Sequence, residues 1–450
     1  MKTTKNLTEG NLSINLLLYA IPLILSSMLA QAYSMVDGVI AGKFVSEYAM
    51  GAISATSSYE TLFNSLVRGF AGGFSIYISQ MFGRNNFSAI KRDVIGMTWF
   101  VALLSIAFST FSIALSGSIM DFLNIDPILR NDALTYFTIY HLGLVIFYIN
   151  HLLLAVLNAL GVTSFSLYVS LISAVLNIAG NILTVVVFDM GIAGLAISTL
   201  LSAMAATFVY LIALQRAFKE MDSTEVSKRP DFSCVRASLR YTLPQALQLL
   251  SFHGVTMLIA PSINSLGPDA TTGYSIANQI YSLGTISLWA YASAFGCYTG
   301  QCVGKRDTLK IRHGVRVGFL MNCAVVLPFV LSIVIFAKPF ISLFFPGDYT
   351  GLAFEYSVRY AIIFFPFIYV QLVGHFFHTY MRSLGRVNTV LIITLIGSIV
   401  RVVGALLLIP ILGLDGAFVA QILSWAVDAV ICTIIFCFKY RTNDQILAVI

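Results

Sequence analysis

The sequence has few charged residues. Only 10% of its 450 residues are Asp, Glu, Lys or Arg, whereas 58% are hydrophobic and the net charge is +6. A soluble globular domain carries about 25% charged residues, so this shortage excludes a water-soluble enzyme or binding domain. The basic residues are spread over short loops without an extended basic face, so nucleic-acid binding is not expected either.

Cysteine and histidine are also scarce, with six of each. No cysteine has metal-ligand or redox spacing, so we interpret the cysteines as reduced filler residues and predict no metal site and no cofactor. His375 and His378 resemble a fragment of a metal site, but no nearby Cys or carboxylate in the sequence completes a ligand set. The chain lacks GxSxG and HExxH motifs as well as the several histidine clusters of a membrane desaturase, so an intramembrane enzyme is not expected.

The sequence is instead rich in long apolar runs. Twelve of them are long enough to cross a bilayer, which takes about 20 residues each. The approximate spans are 14–40, 50–82, 94–119, 133–160, 165–188, 191–215, 238–263, 272–304, 315–337, 353–381, 387–411 and 414–438. We interpret the first run as a true span because it is much longer than the roughly 7–15-residue core of a signal peptide. These runs predict an all-α polytopic membrane protein with twelve transmembrane helices.

Lys and Arg are distributed unevenly between alternate loops. If the N-terminus is cytoplasmic, the inner segments hold 20 basic residues and the outer segments hold four. Cytoplasmic loops of membrane proteins carry an excess of Lys and Arg. We therefore predict that both termini are cytoplasmic and that the protein lies in the cell (inner) membrane.

The two halves of the chain resemble each other. A polar cytoplasmic linker at 216–236 separates a six-helix N-terminal lobe, 1–215, from a six-helix C-terminal lobe, 237–450. Five motif matches fall at offsets of 221 to 224 residues, among them Tyr19-Ala-Ile-Pro22 with Tyr241-Thr-Leu-Pro244. Two pseudo-symmetric six-helix bundles are typical of alternating-access transporters, in which the substrate site lies between the halves.

Polar residues within the first-lobe spans indicate an ion site, because a carboxylate inside a span is costly and usually functional. Asp37 lies near the outer end of the first span. Asn177 and Asn181 share one face of the fifth span, and Thr199 lies about two turns inside the outer end of the sixth. At similar depth, their oxygens would suit a monovalent cation, or a proton on Asp37. The alternative is that Asp37 only extends to the membrane interface.

Further charged residues also lie within spans. Glu60 and Arg68 are about two turns apart on one face of the second span, where they either line a cavity or pair with polar groups of neighbouring helices. Arg401 and Asp428 lie at depths that their side chains can bridge, so we expect a structural ion pair. The second lobe has Ile259 at the position that matches Asp37. The two lobes are therefore expected to share a helix arrangement but not an ion site.

Several motifs resemble those of the multidrug and toxic compound extrusion (MATE) family. They are Thr8-Glu9-Gly10, Gln31-Ala-Tyr33-Ser-Met-Val-Asp37-Gly-Val-Ile-Ala-Gly42, Ser79-Gln80-Met-Phe-Gly83, Leu176-Asn177 and Gly191-Ile-Ala-Gly194-Leu-Ala-Ile-Ser-Thr199. The resemblance covers essentially the whole chain, including the number of spans and the position of the linker. It implies a secondary active antiporter that exports cationic, lipophilic compounds in exchange for protons or sodium ions.

The resemblance also carries a cation-binding role onto Asp37, Asn177 and Thr199. Many members of the family have an aspartate where this chain has Asn181, so the sequence departs from the pattern there. Asp37 is then the single carboxylate among these four residues. We favour proton coupling, because burial disfavours the charged form of a carboxylate, and sodium coupling is the alternative. Gln31 and Tyr33 match the segment that faces the substrate cavity in the family.

Two rival functions remain to be compared with export. A lipid-linked oligosaccharide flippase of the same broad superfamily could hold a pyrophosphate with Arg68 and Arg401, but the acidic first-lobe site argues against it. A passive channel would not need the paired bundles with a loaded ion site. The expected partners are small cationic molecules and the lipid bilayer, with the protein as a monomer.

Overall fold

The structure is a computed structural model that describes residues 4–46, 49–123, 125–221, 232–345, 351–440 and 442–447. The described residues are almost entirely helical and contain no β-strand, so the all-α prediction is confirmed. The physical reason is that a chain in lipid must satisfy each backbone N–H and C=O within its own segment. Most of the predicted linker, from 222 to 231, lies outside the described residues.

Eight α-helices follow one another in the described residues of the first half. They are α1 (Leu12–Ile40), α2 (Ala49–Gly83), α3 (Phe87–Ala114), α4 (Ser116–Phe122), α5 (Pro127–Leu142), α6 (Leu144–Ala159), α7 (Ser164–Asn181) and α8 (Gly191–Glu220). A π-helical stretch, Ala41–Val45, prolongs α1, and another, Ile182–Val187, prolongs α7. The fourth predicted span is made of α5 and α6, which meet at Gly143 with a bend of 52°.

Nine α-helices follow in the described residues of the second half. They are α9 (Ser233–Asn264), α10 (Pro268–Lys305), α11 (Thr308–Ile335), α12 (Ala337–Ser342), α13 (Leu352–Arg359), α14 (Ile368–Ser383), α15 (Val387–Leu412), α16 (Leu414–Lys439) and α17 (Asn443–Leu447). The tenth span is continuous from α13 to α14 through a π-helical turn at Tyr360–Phe364 and a 3-10 turn at Phe365–Phe367. The helix is irregular here because Pro366 has no N–H to donate to the preceding turn.

Nine helical stretches in the described part of the chain are long and apolar enough to cross a membrane, and the bent pair of α5 and α6 makes a tenth. The two remaining predicted spans correspond to α2 and α10, which have 35 and 38 residues. Both are long enough to cross the roughly 30 Å apolar core of a bilayer, but both carry more polar residues. Many large apolar side chains, including Phe122, Ile411 and Phe438, lie exposed on the outside of the helices, as lipid contact requires.

Contacts divide the chain into two compact units, and α1 and α9 contribute to both. The first unit comprises Met1–Asn6 and Pro22–Ala246, and the second comprises Leu7–Ile21 and Leu247–Ile450. The beginning of α1 therefore packs within the second unit, and the beginning of α9 packs within the first. The predicted lobe boundary at the linker does not describe this exchange of helix ends.

Glycine residues allow the beginning of α9 to approach α2 closely within the first unit. A Cβ atom at Gly73 would lie 2.5 Å from both the Cα of Thr242 and the backbone oxygen of Tyr241. A Cβ atom at Gly69 would overlap the backbone of Ala246. Small residues at such contacts are typical of helix packing in membranes, where close backbone approach supplies much of the stabilisation.

Candidate ion site and second-unit cleft

Four of the predicted site residues form one chain of hydrogen bonds in the first unit. The Nδ2 atom of Asn181 donates to Oδ1 of Asp37 at 2.6 Å and to Oδ1 of Asn177 at 3.3 Å. The Nδ2 atom of Asn177 donates in turn to Oγ1 of Thr199 at 3.3 Å. The chain links α1, α7 and α8, and we call these four residues the Asp37 cluster.

Small residues position α7 and α8 so that their polar side chains meet. A Cβ atom at Gly180 would lie only 2.9 Å from the Cβ of Ser198, so a larger residue there would separate the two helices. The hydroxyl of Thr184 contacts the carbonyl oxygens of Gly180 and Gly194 at 2.8 and 3.0 Å. This contact fixes the π-helical end of α7 against the start of α8, next to the Asp37 cluster.

Ser198 belongs to the same network, although its residue type and position do not predict this. Its hydroxyl donates to Oδ1 of Asn181, and its side chain is fully buried. The only signal in the sequence is its position directly before Thr199. Serines in helices commonly bond to the backbone of the preceding turn, as Ser198 also does with Leu195, so a bond to another helix cannot be predicted from the residue type.

The amide of Asn181 determines how the oxygens of the Asp37 cluster can be used. Asn177 and Asn181 are buried, whereas Asp37 and Thr199 are half-buried at the edge of the network. The N–H groups of Asn181 point at oxygens of Asp37 and Asn177, which are atoms that a bound cation would need. A proton can bind the carboxylate of Asp37 without displacing the N–H groups of Asn181.

Glu60 and Arg68 do not pair with each other among the described residues. Glu60 instead accepts a hydrogen bond from the hydroxyl of Thr56 at 2.9 Å. Asn64, which lies between them on the same face of α2, donates to the hydroxyl of Tyr140 at 2.9 Å. Arg68 is exposed and lies within electrostatic range of that tyrosine. Glu60, Asn64 and Arg68 thus form a polar stripe on α2 that faces α5.

Gln31 and Tyr33 are half-buried on α1, within two turns of Asp37. Tyr33 lies within electrostatic range of the Asp37 carboxylate. Neither residue is hydrogen-bonded to the Asp37 cluster in the part of the chain that the structure describes. Their assignment to a substrate cavity stays a prediction.

In the second unit, Asp428 pairs with His378 rather than with Arg401. The Nε2 atom of His378 lies 3.1 Å from Oδ1 of Asp428, whereas Nη2 of Arg401 lies 3.5 Å from the hydroxyl of Tyr274. The expected ion pair of Arg401 and Asp428 is therefore not the arrangement found in the described residues. The reason is that the carboxylate of Asp428 fills the space left by Gly374 on α14, so it faces α14 and not α15.

A cleft with a cavity volume of about 90 Å³ lies within the second unit, and we call it the second-unit cleft. Its walls combine aromatic rings, neutral polar groups and ionisable side chains, including Phe252, Trp289, Trp425, Gln248, Gln371, His375, His378, Arg401 and Asp428. The ring of His375 packs edge-on against Trp289, with ring centroids 4.2 Å apart. The cleft therefore offers flat apolar surfaces next to a few buried polar groups, which is the usual build of a small-molecule site.

Comparison with known proteins shows which family model the chain matches. The MatE family model matches residues 22–183 and again residues 244–407, and the two matches begin 222 residues apart, at the offset of the internal repeat. The probable multidrug resistance protein YpnP of Bacillus subtilis (strain 168) is 25% identical over 391 residues, which cover 86% of each chain. The probable multidrug resistance protein NorM of Agrobacterium fabrum is 24% identical over 327 residues, which cover 69% of this chain and 68% of that protein.

Solved structures share the fold. An outward-facing multidrug resistance MATE family transporter of the MOP superfamily superposes with a TM-score of 0.88 at 18% identity, over 98% of both chains. A MOP superfamily transporter from Pyrococcus furiosus Vc1 superposes with a TM-score of 0.86 at 18% identity, over 95% of this chain and 96% of the other. The second is described as having a binding pocket of reversed polarity that suggests a different function.

Proposed function

The chain belongs to the MatE family of multidrug transporters, and from this premise we propose that it exports cationic, lipophilic compounds in exchange for protons, with Asp37 as the coupling group. It is a multi-pass membrane protein and a transporter, not an enzyme, and transporters of this family need no cofactor. The proposal concerns the chemical class of the substrate, the coupling ion and the residue that binds it.

The observation that carries the proposal is the hydrogen bond from Asn181 to Asp37, which joins α7 to α1. When Asp37 is ionised, this bond is charge-assisted and therefore short and strong. When Asp37 takes up a proton, the bond weakens and the contact between the two helices loosens. Because α1 contributes to both compact units, a change at Asp37 acts on a helix that both units share.

Exchange follows if a proton and a cationic substrate compete for the same carboxylate. Each can neutralise Asp37, so binding of one lowers the affinity for the other, and this negative coupling is reciprocal. The first unit supports a cationic substrate because the Asp37 cluster and the α2 stripe carry two carboxylates, Asp37 and Glu60, against one arginine, Arg68. Alternating access then converts this competition into antiport.

The test is export of a flat aromatic cation such as ethidium by the purified protein in proteoliposomes with an imposed pH gradient. Replacing Asp37 with Asn should abolish gradient-driven export, since the carboxamide cannot take up the proton. Asp121→Asn is the matched control, because Asp121 is an exposed carboxylate of the same unit that pairs with Arg130 at 2.6 Å. Both variants should elute as folded protein at the same volume as the unmodified protein. Full export by Asp37→Asn would refute the coupling role.

The flippase alternative is favoured by one observation, the buried guanidinium of Arg401. Its Nε atom has no hydrogen-bond partner, and no carboxylate among the described residues pairs with it. A flippase would move a fluorescent pyrophosphate lipid between leaflets, and Arg401→Gln would stop it. Lipid movement without any ethidium export would replace our proposal with this one.

We also propose that both termini face the cytoplasm of a cell (inner) membrane and that the protein works as a monomer. The excess of Lys and Arg in the predicted inner segments, 20 against four, supports the orientation. Protease protection of a C-terminal tag in sealed inverted vesicles would contradict it.

A further inference from the structure

Three metal-ligating side chains meet between α14 and α16, outside the Asp37 cluster. The ligand atoms of His378, Asp428 and Cys432 all lie within 4.8 Å of one another. Asp428 and Cys432 are four residues apart, so they share one face of α16, and His378 contacts that face from α14. The pairing of the two helices, not sequence spacing, creates this group.

Buried imidazole nitrogens on α14 lack well-aligned hydrogen bonds at and next to this group. His378 is only 6% exposed, and its Nε2 atom contacts Asp428 without making an aligned hydrogen bond. His375, one turn earlier on α14, is 8% exposed, and both of its ring nitrogens lack a hydrogen-bond partner. Buried polar groups are rarely left without partners, so the two bare nitrogens of His375 and the poorly aligned contact of His378 require an explanation.

We propose that His378, Asp428 and Cys432 bind a zinc-class divalent cation. An imidazole nitrogen, a thiolate and one carboxylate oxygen are the donors that zinc prefers, whereas magnesium and calcium require six or more oxygens. This inference does not depend on the transport function proposed above, because none of the three residues belongs to the Asp37 cluster.

The geometry needs only a small adjustment to accept the ion. With zinc–ligand bonds of about 2.0 to 2.3 Å, tetrahedral coordination places ligand atoms about 3.3 to 3.6 Å apart. The nitrogen of His378 and the oxygen of Asp428 are already 3.1 Å apart, so the thiol of Cys432 would have to move by about 1 Å at most. His378 and Asp428 also line the second-unit cleft, which gives the ion an access route and leaves its fourth position open to water.

The charges near the site set the expected affinity. On binding, Cys432 gives up its thiol proton, so the ion meets one thiolate and one carboxylate. Arg382, one turn after His378, lies within electrostatic range of Asp428 and already balances part of that negative charge. We therefore expect weaker binding than at a closed four-ligand structural site. The bound ion would clamp α14 to α16 and stabilise the second unit.

The experiment titrates the chelator-treated, full-length protein in detergent with Co²⁺, whose thiolate bond gives a charge-transfer absorption band in the near ultraviolet. We expect one Co²⁺ per chain with this band, its loss when Zn²⁺ displaces Co²⁺, and a higher melting temperature with Zn²⁺. Cys432→Ser should remove the band, and His378→Ala should weaken binding about tenfold or more. The matched control is Cys437→Ser, an exposed cysteine on the same helix, which should keep both the band and the affinity.

Two results would overturn the proposal. The first is the absence of stoichiometric Co²⁺ or Zn²⁺ binding by the unmodified protein, which needs no variant to fold. The second is a thiolate band that survives Cys432→Ser but disappears in Cys437→Ser, because the ion would then bind at the surface. Since Asp37→Asn keeps all three ligands, it should bind Co²⁺ like the unmodified protein, which separates this test from that of the transport proposal.

Discussion

At the residue scale, the side-chain amide of Asn181 is the feature that favours proton coupling over sodium coupling. Asn181 lies at the centre of the Asp37 cluster. Its N–H groups point into the space between the oxygens of Asp37 and Asn177, where a cation would have to bind. A dehydrated sodium ion needs several oxygens and enough negative charge to replace its water. The substitution of this single side chain therefore gives the most direct test of the coupling chemistry.

We predict that Asn181→Asp will make export depend on sodium. The change replaces the amide N–H donor with a carboxylate oxygen, next to the carboxylate of Asp37 and the amide oxygen of Asn177. The carboxylates at positions 37 and 181 then repel each other unless a cation lies between them. Ethidium export by this variant should rise with external sodium at constant pH. The measurement is the initial rate of export at several sodium concentrations in proteoliposomes.

The control for this substitution is Asn131→Asp, which adds the same charge at an exposed position of α5 in the same unit. It should leave the sodium response unchanged. If the two variants responded to sodium alike, added charge alone would explain the effect, and position 181 would have no special role in sodium binding.

At the scale of elements, the contact of α2 with α9 depends on residues without side chains. We predict that Gly73→Ala will destabilise the protein by about 1–3 kcal/mol, because the new methyl group would overlap the backbone at Thr242 and Tyr241 and force the helices apart. Thermal melting in detergent measures this loss as a lower midpoint temperature.

Gly254→Ala is the matched control within α9. A Cβ atom there would meet nothing within 4 Å, so only the helix propensity changes. Alanine is favoured over glycine in a helix by up to about 1 kcal/mol, so this variant should melt at the same or a higher temperature. A fall in melting temperature of equal size in both variants would mean that close packing is not the reason for glycine at position 73.

Helix positions followed from the sequence, but breaks and pairings did not. Long apolar runs predicted the helical spans, because lipid leaves the backbone no other way to satisfy its hydrogen bonds. Pro366 indicates an irregular turn in the tenth span, but the bend of 52° between α5 and α6 at Gly143 is not predicted from residue type. His378 likewise selects Asp428 because Gly374 makes room for that carboxylate, a fact of tertiary contact between α14 and α16.

At the scale of the whole molecule, the internal repeat and the exchange of helix ends coincide. Pro22 is the first residue of α1 that belongs to the first unit, and its counterpart Pro244 lies two residues before the point where α9 passes into the second unit. Because equivalent prolines lie at both crossings, the exchange is a property of the repeated fold. Two helices, α1 and α9, thus contribute residues to both units.

The coupling ion is the final prediction, and it concerns the unmodified protein. Proteoliposomes loaded with ethidium should export the dye when a pH gradient is imposed at equal sodium, with the membrane potential clamped. They should fail to export it when a sodium gradient is imposed at equal pH, because the Asp37 cluster has a single carboxylate and the amide of Asn181 occupies the space for a larger ion. Asp37→Asn proteoliposomes give the background rate. Export that follows the sodium gradient and ignores the pH gradient would assign the coupling to sodium and refute proton coupling at Asp37.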